Sequence, residues 1–235
     1  MGNSLAENNL LFNFMYNLVK RMIKKRVIKE GMYREVLFQF LGHLSKAIPS
    51  TLSQHLISSA SLDGMKVFFR SLVLGDLQVV FTEYEKRISK IFKPKFGDVV
   101  LDVGAYIGYP YTLKSAKLVG SQGKVISIEP DPRNFRILAM NVKSNKLNNV
   151  ILLNVAISNE DGESLFYVRR SPMVSKMQTC QRPPPDTLET IRVKTRSIDS
   201  ILEEYDIPKV DWIKIDVEGA EVLVLRGLED YSPQK

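Results

Sequence analysis

Carboxylates and glycines gather at three places between residues 102 and 218. The first is DVGAYIG at 102–108, the second is EPD at 129–131, and the third is DVE at 216–218. Glycine lets a backbone approach a ligand closely and adopt conformations closed to other residues. Carboxylates accept hydrogen bonds from hydroxyl and ammonium groups. These residue types therefore indicate a binding site for a small polar ligand.

The segments around these clusters alternate between strand and helix patterns. Short apolar, β-branched runs are typical of strands buried on both faces, and apolar residues at three-to-four spacing are typical of helices. The predicted strands are 99–101, 124–128, 150–155 and 213–215, and the predicted helices are 111–118, 132–144 and 220–228. This order predicts a parallel sheet with helices on both faces, whose ligands bind beyond the carboxyl ends of the strands.

The identity of the ligand follows from the first two clusters. Glu129 ends the second strand, where its carboxylate can accept hydrogen bonds from both hydroxyls of a ribose, so a nucleoside cofactor is implied. The turn lacks the first glycine of the dinucleotide pattern G-x-G-x-x-G, which disfavours an NAD-dependent dehydrogenase. Asp102 is placed to meet an ammonium group, which favours S-adenosylmethionine. The alternative is that Gly104 and Gly108 only form a tight turn while Glu129 caps the next helix.

These segments resemble the FkbM family of S-adenosylmethionine-dependent methyltransferases over about residues 80–230. The resemblance is carried by VVLDVGAYIGYPYTLKSA, VISIEPDPRNFRILAMNVKSN, NVAISNEDGESLFYV, VKTRSIDSIL and WIKIDVEGAEVLVLRGL. It implies a Rossmann-like methyltransferase fold and methylation of a hydroxyl oxygen on a sugar or small natural product. The expected cofactor-binding residues are Asp102, Gly104, Ala105, Tyr106, Gly108, Glu129, Pro130, Asp131, Val155 and Ala156.

The chain departs from the family pattern in three respects. The family usually has Asn at the position of Tyr106, and the segment GYPYT at 108–112 is one residue longer than usual, with Pro110 near a helix start. A full methyltransferase sheet has further strands after the fourth, so we expect an α/β sheet that is C-terminally incomplete, through truncation or as a natural short form. These departures favour a second hypothesis, a non-catalytic Rossmann-like binding protein with a vestigial cofactor site.

The expected catalytic residues are Asp216 and Glu218. Methyl transfer to a hydroxyl needs help in removing a proton, and residues 96–235 contain no histidine. Asp216 follows the fourth strand and is the first candidate for orienting the acceptor or taking its proton, with Glu218 or Lys214 in support. The alternative is that both acids stabilise the start of the next helix, where negative charge is favoured. No metal site is predicted.

An insertion at 169–190 separates the third and fourth strands. Apolar runs at 165–168 and 191–194 predict a hairpin around it, and PPP at 183–185 excludes a helix there. We expect a mobile loop over the acceptor site, in which Arg169, Arg170 and Arg182 either meet an acidic substrate or stay solvated. Cys180, the only cysteine, lies in this loop without a histidine nearby, so no catalytic role is expected for it.

The first 80 residues are predicted to form a mostly helical, basic region, followed by the methyltransferase domain at 81–235. Residues 1–95 contain 15 Lys and Arg against 7 Asp and Glu, whereas the whole chain has a net charge of +7. A helix at 10–30 carries many of these cations. It either packs with a solvated basic face or contacts a membrane surface or acidic partner. Strands are predicted at 67–70 and 78–81.

Composition and sequence motifs indicate the expected compartment and partners of the protein. A single cysteine excludes an intramolecular disulfide and fits a reducing compartment. No apolar run is long enough for a transmembrane helix, so a cytoplasmic protein is expected. No nucleic-acid motif is present, and the expected partner is a small-molecule or glycan acceptor. The edge of the fourth strand invites pairing, which predicts a homodimer or coverage by the N-terminal region.

Overall fold

A computed structural model describes residues 39, 43, 50–81, 88, 91–178 and 182–228. The chain divides into two compact units, 1–87 and 88–235. The predicted basic helix at 10–30 and Cys180 lie outside the described residues. No helix in the described part of the chain is both long enough and apolar enough to cross a membrane.

The first unit contains a β-hairpin between two helices. Its described elements are α1 (Ser50–Ser53), β1 (Ile57–Leu62), β2 (Met65–Arg70) and α2 (Leu74–Phe81). The turn residues Asp63 and Gly64 both have positive φ, 50° and 70°, as the turns that best fit the twist of a hairpin require. A fully buried ion pair of 2.7 Å between Arg70 and Asp76 joins β2 to α2.

The predicted strand at 67–70 is confirmed, but the predicted strand at 78–81 is wrong. Those residues form the second half of α2. The β-branched run is compatible with either structure, and tertiary packing decides between them. Leu77 and Val80, three positions apart, are both buried, which is the spacing of one helical face.

The second unit has a doubly wound α/β fold. In chain order its elements are β3 (Val99–Val103), α3 (Tyr111–Val119), β4 (Lys124–Ile128), α4 (Pro132–Ser144), β5 (Val150–Leu153), β6 (Ala156–Ile157), β7 (Gly162–Arg169), β8 (Lys176–Met177), β9 (Thr187–Arg196), α5 (Ile198–Glu204), β10 (Trp212–Ile215) and α6 (Glu221–Arg226). The main sheet has the order β10-β3-β4-β5, and all its pairs are parallel. The predicted Rossmann-like parallel sheet is therefore confirmed.

Both faces of the main sheet are covered by helices. On one face, Val100 and Val125 pack with Ala116 and Val119 of α3. On the other face, four strand residues pack with α5 and α6 in a larger core, which includes Leu101, Val103, Ile126, Ile128, Ile198, Ile201, Leu202 and Val224. This alternation explains why the strands are apolar throughout, since consecutive residues point to opposite buried faces.

A second, mostly antiparallel sheet follows β5 and has the order β6-β9-β7-β8. Its centre is the long hairpin of β7 and β9, which pairs Gly162 with Thr195 and continues to Arg169. The predicted hairpin around the insertion is thus confirmed. The insertion is not wholly irregular, because it contains β8, which pairs with β7 through Phe166 and Met177.

Candidate active site

The three clusters of acids and glycines lie at one edge of the main sheet. Strand β3 is between β10 and β4, and Val103 pairs with both Ile215 and Ile128. The residues after these three strands therefore leave the sheet at the same level. This register brings the turn at 104–108, the segment at 129–131 and the segment at 216–218 together, as the sequence predicted.

The turn at 104–108 depends on its two glycines. Gly104 has φ +76°, and a Cβ on it would collide with the backbone oxygen of Asp216. Gly108 has φ +86°, and a Cβ there would be 2.6 Å from a methyl group of Leu138 on α4. Glycine supplies both the positive φ and the missing side chain. The turn is therefore held close to β10 on one side and to α4 on the other.

Backbone hydrogen bonds fix the same turn to β4. The N–H groups of Gly104 and Ala105 both donate to the carbonyl oxygen of Ile128 at 2.9 Å. The N–H of Tyr106 donates to Glu129 Oε2 at 2.8 Å. Tyr106 has φ +55°, a left-handed conformation that Asn tolerates much better than a bulky side chain does. The Asn that the resemblance leads one to expect here would adopt this conformation with less strain.

Glu129 is the most perturbed carboxyl group at this edge. Its residue is 5% exposed, and Oε1 accepts hydrogen bonds from the N–H of Asp131 at 2.9 Å and from Asn134 Nδ2 at 3.2 Å. Burial, and then the neighbouring charge of Asp131, raise the pKa of Glu129 to about 8. Oε2 accepts from Tyr106 alone among the hydrogen bonds described, so it can form a further hydrogen bond with a ligand hydroxyl, as acceptor when ionised and as donor when protonated.

Asp102 is more deeply buried than the sequence suggested, at 1% exposed. Its Oδ2 accepts a hydrogen bond of 2.6 Å from Thr112 Oγ1. Its Oδ1 accepts no hydrogen bond from any residue that the structure describes, although Lys214 Nζ lies 3.3 Å away. The sequence named Lys214 only as support for Asp216, because the cross-strand pairing of Lys214 with Asp102 cannot be read without the sheet register.

Asp216 and Glu218 lie on the neighbouring loop after β10. The side chain of Asp216 is 47% exposed, and its Oδ2 is 3.9 Å from Lys214 Nζ. Glu218 is half-buried and has φ +57°. Burial, and then the charges of Asp216 and Glu221, raise the pKa of Glu218, against the opposing effect of Lys176 and Arg169.

The structure does not use Asp216 or Glu218 as helix caps. The N-cap residue of α6 is Ala220, which makes no capping hydrogen bond through its side chain. The acid that serves this end is Glu221, whose Oε1 accepts the N–H of Gly219 at 3.1 Å. Its left-handed conformation and raised pKa make Glu218 a candidate for a functional carboxylate.

The other expected cofactor-binding residues have different surroundings. Asp131 is the N-cap of α4, where it accepts the N–H of Arg133 at 2.9 Å. Ala156 is 4% exposed and belongs to the core of the second sheet, whereas Val155 is half-buried. Asn154, which no sequence pattern singled out, donates from Nδ2 to the carbonyl oxygens of Glu129 at 2.7 Å and Pro130 at 3.2 Å.

The first part of the insertion is hydrogen-bonded to the segment after β4. Arg133 donates to the carbonyl oxygen of Arg169 and to Ser175 Oγ at 3.1–3.2 Å. Asn134, which is buried, donates both to Glu129 Oε1 and to the carbonyl oxygen of Pro172, at 3.2 and 3.1 Å. The expected mobile loop is thus tied, over these residues, to the carboxylate that the sequence assigned to the ribose.

The insertion also carries a lysine to the loop after β10. A Cβ on Gly219 would be 3.7 Å from Lys176 Nζ, and Lys176 forms no ion pair with the residues that the structure describes. Arg169 is paired with Asp186 at 2.6 Å, and Arg170 is exposed. The insertion therefore spans from Glu129 to the loop that holds Glu218.

Relatives of this chain include two curated methyltransferases. Hexuronic acid methyltransferase AglP of Haloferax volcanii is 30% identical over 131 residues, which are 56% of this chain and 50% of the relative. Methyltransferase 1 of Beauveria bassiana is 26% identical over 173 residues, 66% of this chain and 69% of the relative. The chain thus spans half the length of the first relative and about two thirds of the second.

A solved structure and a family match complete the comparison. The M. jannaschii TYW2 structure in complex with AdoMet is 30% identical, with a TM-score of 0.35 and coverage of 42% of each chain. The Methyltransferase FkbM domain matches residues 102–235, more than half of the chain and all three clusters at the sheet edge. The chain therefore belongs to the FkbM methyltransferase family.

Proposed function

We propose that this protein is an S-adenosylmethionine-dependent methyltransferase that methylates a hydroxyl oxygen on a sugar or small natural product. The observation that carries the proposal is the hydrogen bond between the Tyr106 N–H and Glu129 Oε2. It joins the glycine turn after β3 to the carboxylate after β4. Together they place the backbone of the turn beside a carboxylate, which suits a nucleoside with an amino-acid tail.

The residues of the site fit this cofactor chemically. Gly104 and Gly108 let the turn lie against Asp216 and Leu138, where a Cβ would collide, and so hold its backbone at the end of β3. Glu129 Oε2 can form a hydrogen bond with a ribose hydroxyl. Asn134 donates to Glu129 Oε1, and Asn154 donates to the carbonyl oxygen of Glu129, so both fix the position of this residue. Asp102 Oδ1 is a buried oxygen without a hydrogen bond from the described residues, and it offers an acceptor in the strand from which the turn begins.

The acceptor side is formed by the loop after β10. When bound, the cofactor supplies a methyl group on a positively charged sulfur, which an acceptor oxygen can attack directly. Glu218 is the better proton acceptor, because a raised pKa brings a carboxylate closer to the operating pH. Asp216, which is more exposed and faces Lys214, is suited to orienting the acceptor hydroxyl.

The proposed acceptor is a hydroxyl of a carbohydrate or of a comparable polyhydroxylated molecule. The carbohydrate class is supported by the relative whose name describes methylation of a hexuronic acid. The polar residues at the rim, Asp216, Glu218 and Lys176, suit an acceptor with several hydroxyl groups.

The alternative of a vestigial site is favoured by one observation. Tyr106 has a left-handed conformation that costs roughly 1–2 kcal/mol for an ordinary residue. A turn with Tyr at this position is less stable than one with Asn, and a less stable turn would bind the cofactor less well. In that case the protein would bind a partner or ligand at this edge without transferring a methyl group.

Transfer of radiolabelled methyl from S-adenosylmethionine tests the proposal. The acceptors are a panel of neutral sugars, uronic acids and their glycosides, and the control is the Glu218→Gln variant. Label in an acceptor with wild type and its loss in the variant support the enzyme. Cofactor binding with no label in any hydroxylated acceptor would instead support the vestigial site.

A further inference from the structure

Lys214 lies between the two halves of the proposed site. It is on β10, directly across from Asp102 of β3, and its side chain is 13% exposed. Its Nζ donates a hydrogen bond of 2.6 Å to the carbonyl oxygen of Gly104. The same nitrogen is 3.3 Å from Asp102 Oδ1 and 3.9 Å from Asp216 Oδ2.

Lys214 is the only described cation within ion-pair distance of Asp102. A buried carboxylate without a countercharge is strongly unfavourable. Removal of Lys214 would therefore leave the charge of Asp102 uncompensated and destabilise the folded chain. Thr112 satisfies Oδ2 with a neutral hydroxyl and does not replace that charge. The ring of Tyr111, whose centroid is 5.4 Å from Nζ, covers the ammonium group from the side of α3.

The hydrogen bond to Gly104 has a separate consequence. Gly104 is the first residue after β3, where the turn begins, and its backbone is in close contact with Asp216. A donor on its carbonyl oxygen restrains the orientation of the peptide between Gly104 and Ala105. Lys214 therefore fixes the direction of the turn relative to β10, where the acceptor-side acids begin.

We propose that Lys214 is a positioning residue that holds the glycine turn in its ligand-binding conformation through the Gly104 carbonyl, with Asp102 as its buried anchor. This inference rests on the proposed function for the nature of the ligand. The restraint on the turn itself belongs to the chain alone and can be measured without any ligand.

Hydrogen exchange of the ligand-free chain tests the restraint. In wild type the amides of Gly104, Ala105 and Tyr106 all donate within the protein, so they exchange slowly. In Lys214→Met we expect these turn amides to exchange at least tenfold faster. Amides of the β1–β2 hairpin, which belongs to the other unit, serve as the internal reference.

A matched control and a double variant separate positioning from loss of charge balance. Lys124→Met changes a lysine on β4 that forms no ion pair within the described residues. Asp102→Asn combined with Lys214→Met removes the buried charge together with its partner. If Lys214 only balances Asp102, the double variant regains slow exchange at the turn. If Lys214 positions the turn, exchange stays fast and the conservative variant Lys214→Arg restores part of the protection.

Titration with S-adenosylhomocysteine gives the second measurement. We expect Lys214→Met and the double variant to bind at least tenfold more weakly than wild type, and Lys124→Met to bind like wild type. Turn amides that exchange at the wild-type rate in Lys214→Met overturn the inference, whatever the ligand. Accelerated exchange in a chain whose wild type binds no S-adenosylhomocysteine supports the positioning role and counts against the proposed function alone.

Discussion

The backbone N–H of Tyr106 donates to the carboxylate of Glu129 at 2.8 Å, across the gap between two parallel strands. The glycine turn and the acidic residue that ends the next strand are therefore one structural unit. A change in the ionisation or the position of Glu129 should alter this hydrogen bond and with it the conformation of the turn. This coupling links the stability of the fold to the chemistry of the site.

The pH dependence of stability should reveal Glu129. Its pKa rises from the ordinary 4.5 to about 8 in the folded chain, so between these values the folded state holds a proton that the unfolded state releases. The free energy of unfolding then falls as pH rises, by up to about 1.4 kcal/mol per unit. Urea unfolding from pH 5 to 9 should show this slope in wild type and its loss in Glu129→Gln.

The control for this experiment is Glu160→Gln, which changes an exposed glutamate. It should retain the wild-type slope. A wild-type slope in Glu129→Gln as well would show that another group is responsible and that Glu129 is ionised throughout.

Replacement of Tyr106 by Asn should stabilise the chain. Asn adopts the left-handed conformation at lower cost, so we expect the free energy of unfolding to rise by about 1 kcal/mol. Tyr106→Phe keeps both the bulk and the conformation, so it should bring no such gain. A Tyr106→Asn chain that is no more stable than Tyr106→Phe would mean that the ring makes compensating contacts.

Arg133 should restrain the first part of the insertion and so protect it from proteolysis. Arg133→Ala removes the hydrogen bonds to the Arg169 carbonyl and Ser175, so trypsin should cut within 169–182 several-fold faster. Arg136→Ala, on the exposed side of the same helix, is the matched control. Equal cleavage rates in wild type and Arg133→Ala would show that these hydrogen bonds do not restrain the segment.

Glu218 should affect the rate of methyl transfer more than cofactor binding. General base catalysis contributes roughly 10²–10⁴-fold, so Glu218→Gln should lower kcat by about 100-fold or more with little change in the affinity for S-adenosylhomocysteine. Because the base must be ionised, the wild-type rate should rise with pH through the raised pKa of Glu218.

The reference variant for Glu218 is Glu221→Gln. Glu221 accepts the Gly219 N–H at the start of α6, so its loss should lower stability more than rate. A kcat that falls equally in both variants would indicate a shared structural effect on this loop rather than proton transfer by Glu218.

Local sequence patterns predicted the parallel sheet and its edge well. Strand β4 and helix α4 have the predicted bounds, Lys124–Ile128 and Pro132–Ser144, because a short apolar run and an amphipathic stretch are each flanked by clear breaks. The strand predicted at 78–81 failed, since a short β-branched run does not distinguish a strand from a buried helical turn.

Contacts between distant segments could not be predicted in the same way. The pairing of Lys214 with Asp102 depends on the register of β10 against β3, which the 111 residues between them leave open. The hydrogen bond from Asn134 to the Pro172 carbonyl depends on how the insertion folds back. The sequence could identify the types of residue at the site, but not which of them would be partners.

The most direct test of the central claim is calorimetric titration of S-adenosylhomocysteine into the wild-type chain, Gly104→Arg and Gly97→Arg. Both glycines have positive φ, but a side chain on Gly104 collides with Asp216, whereas nothing lies within 4 Å of a Cβ on Gly97. We predict micromolar binding, about −8 kcal/mol, in wild type and Gly97→Arg, and none in Gly104→Arg. A folded wild-type chain that binds no S-adenosylhomocysteine, or a Gly104→Arg chain that binds it equally well, would contradict the cofactor site.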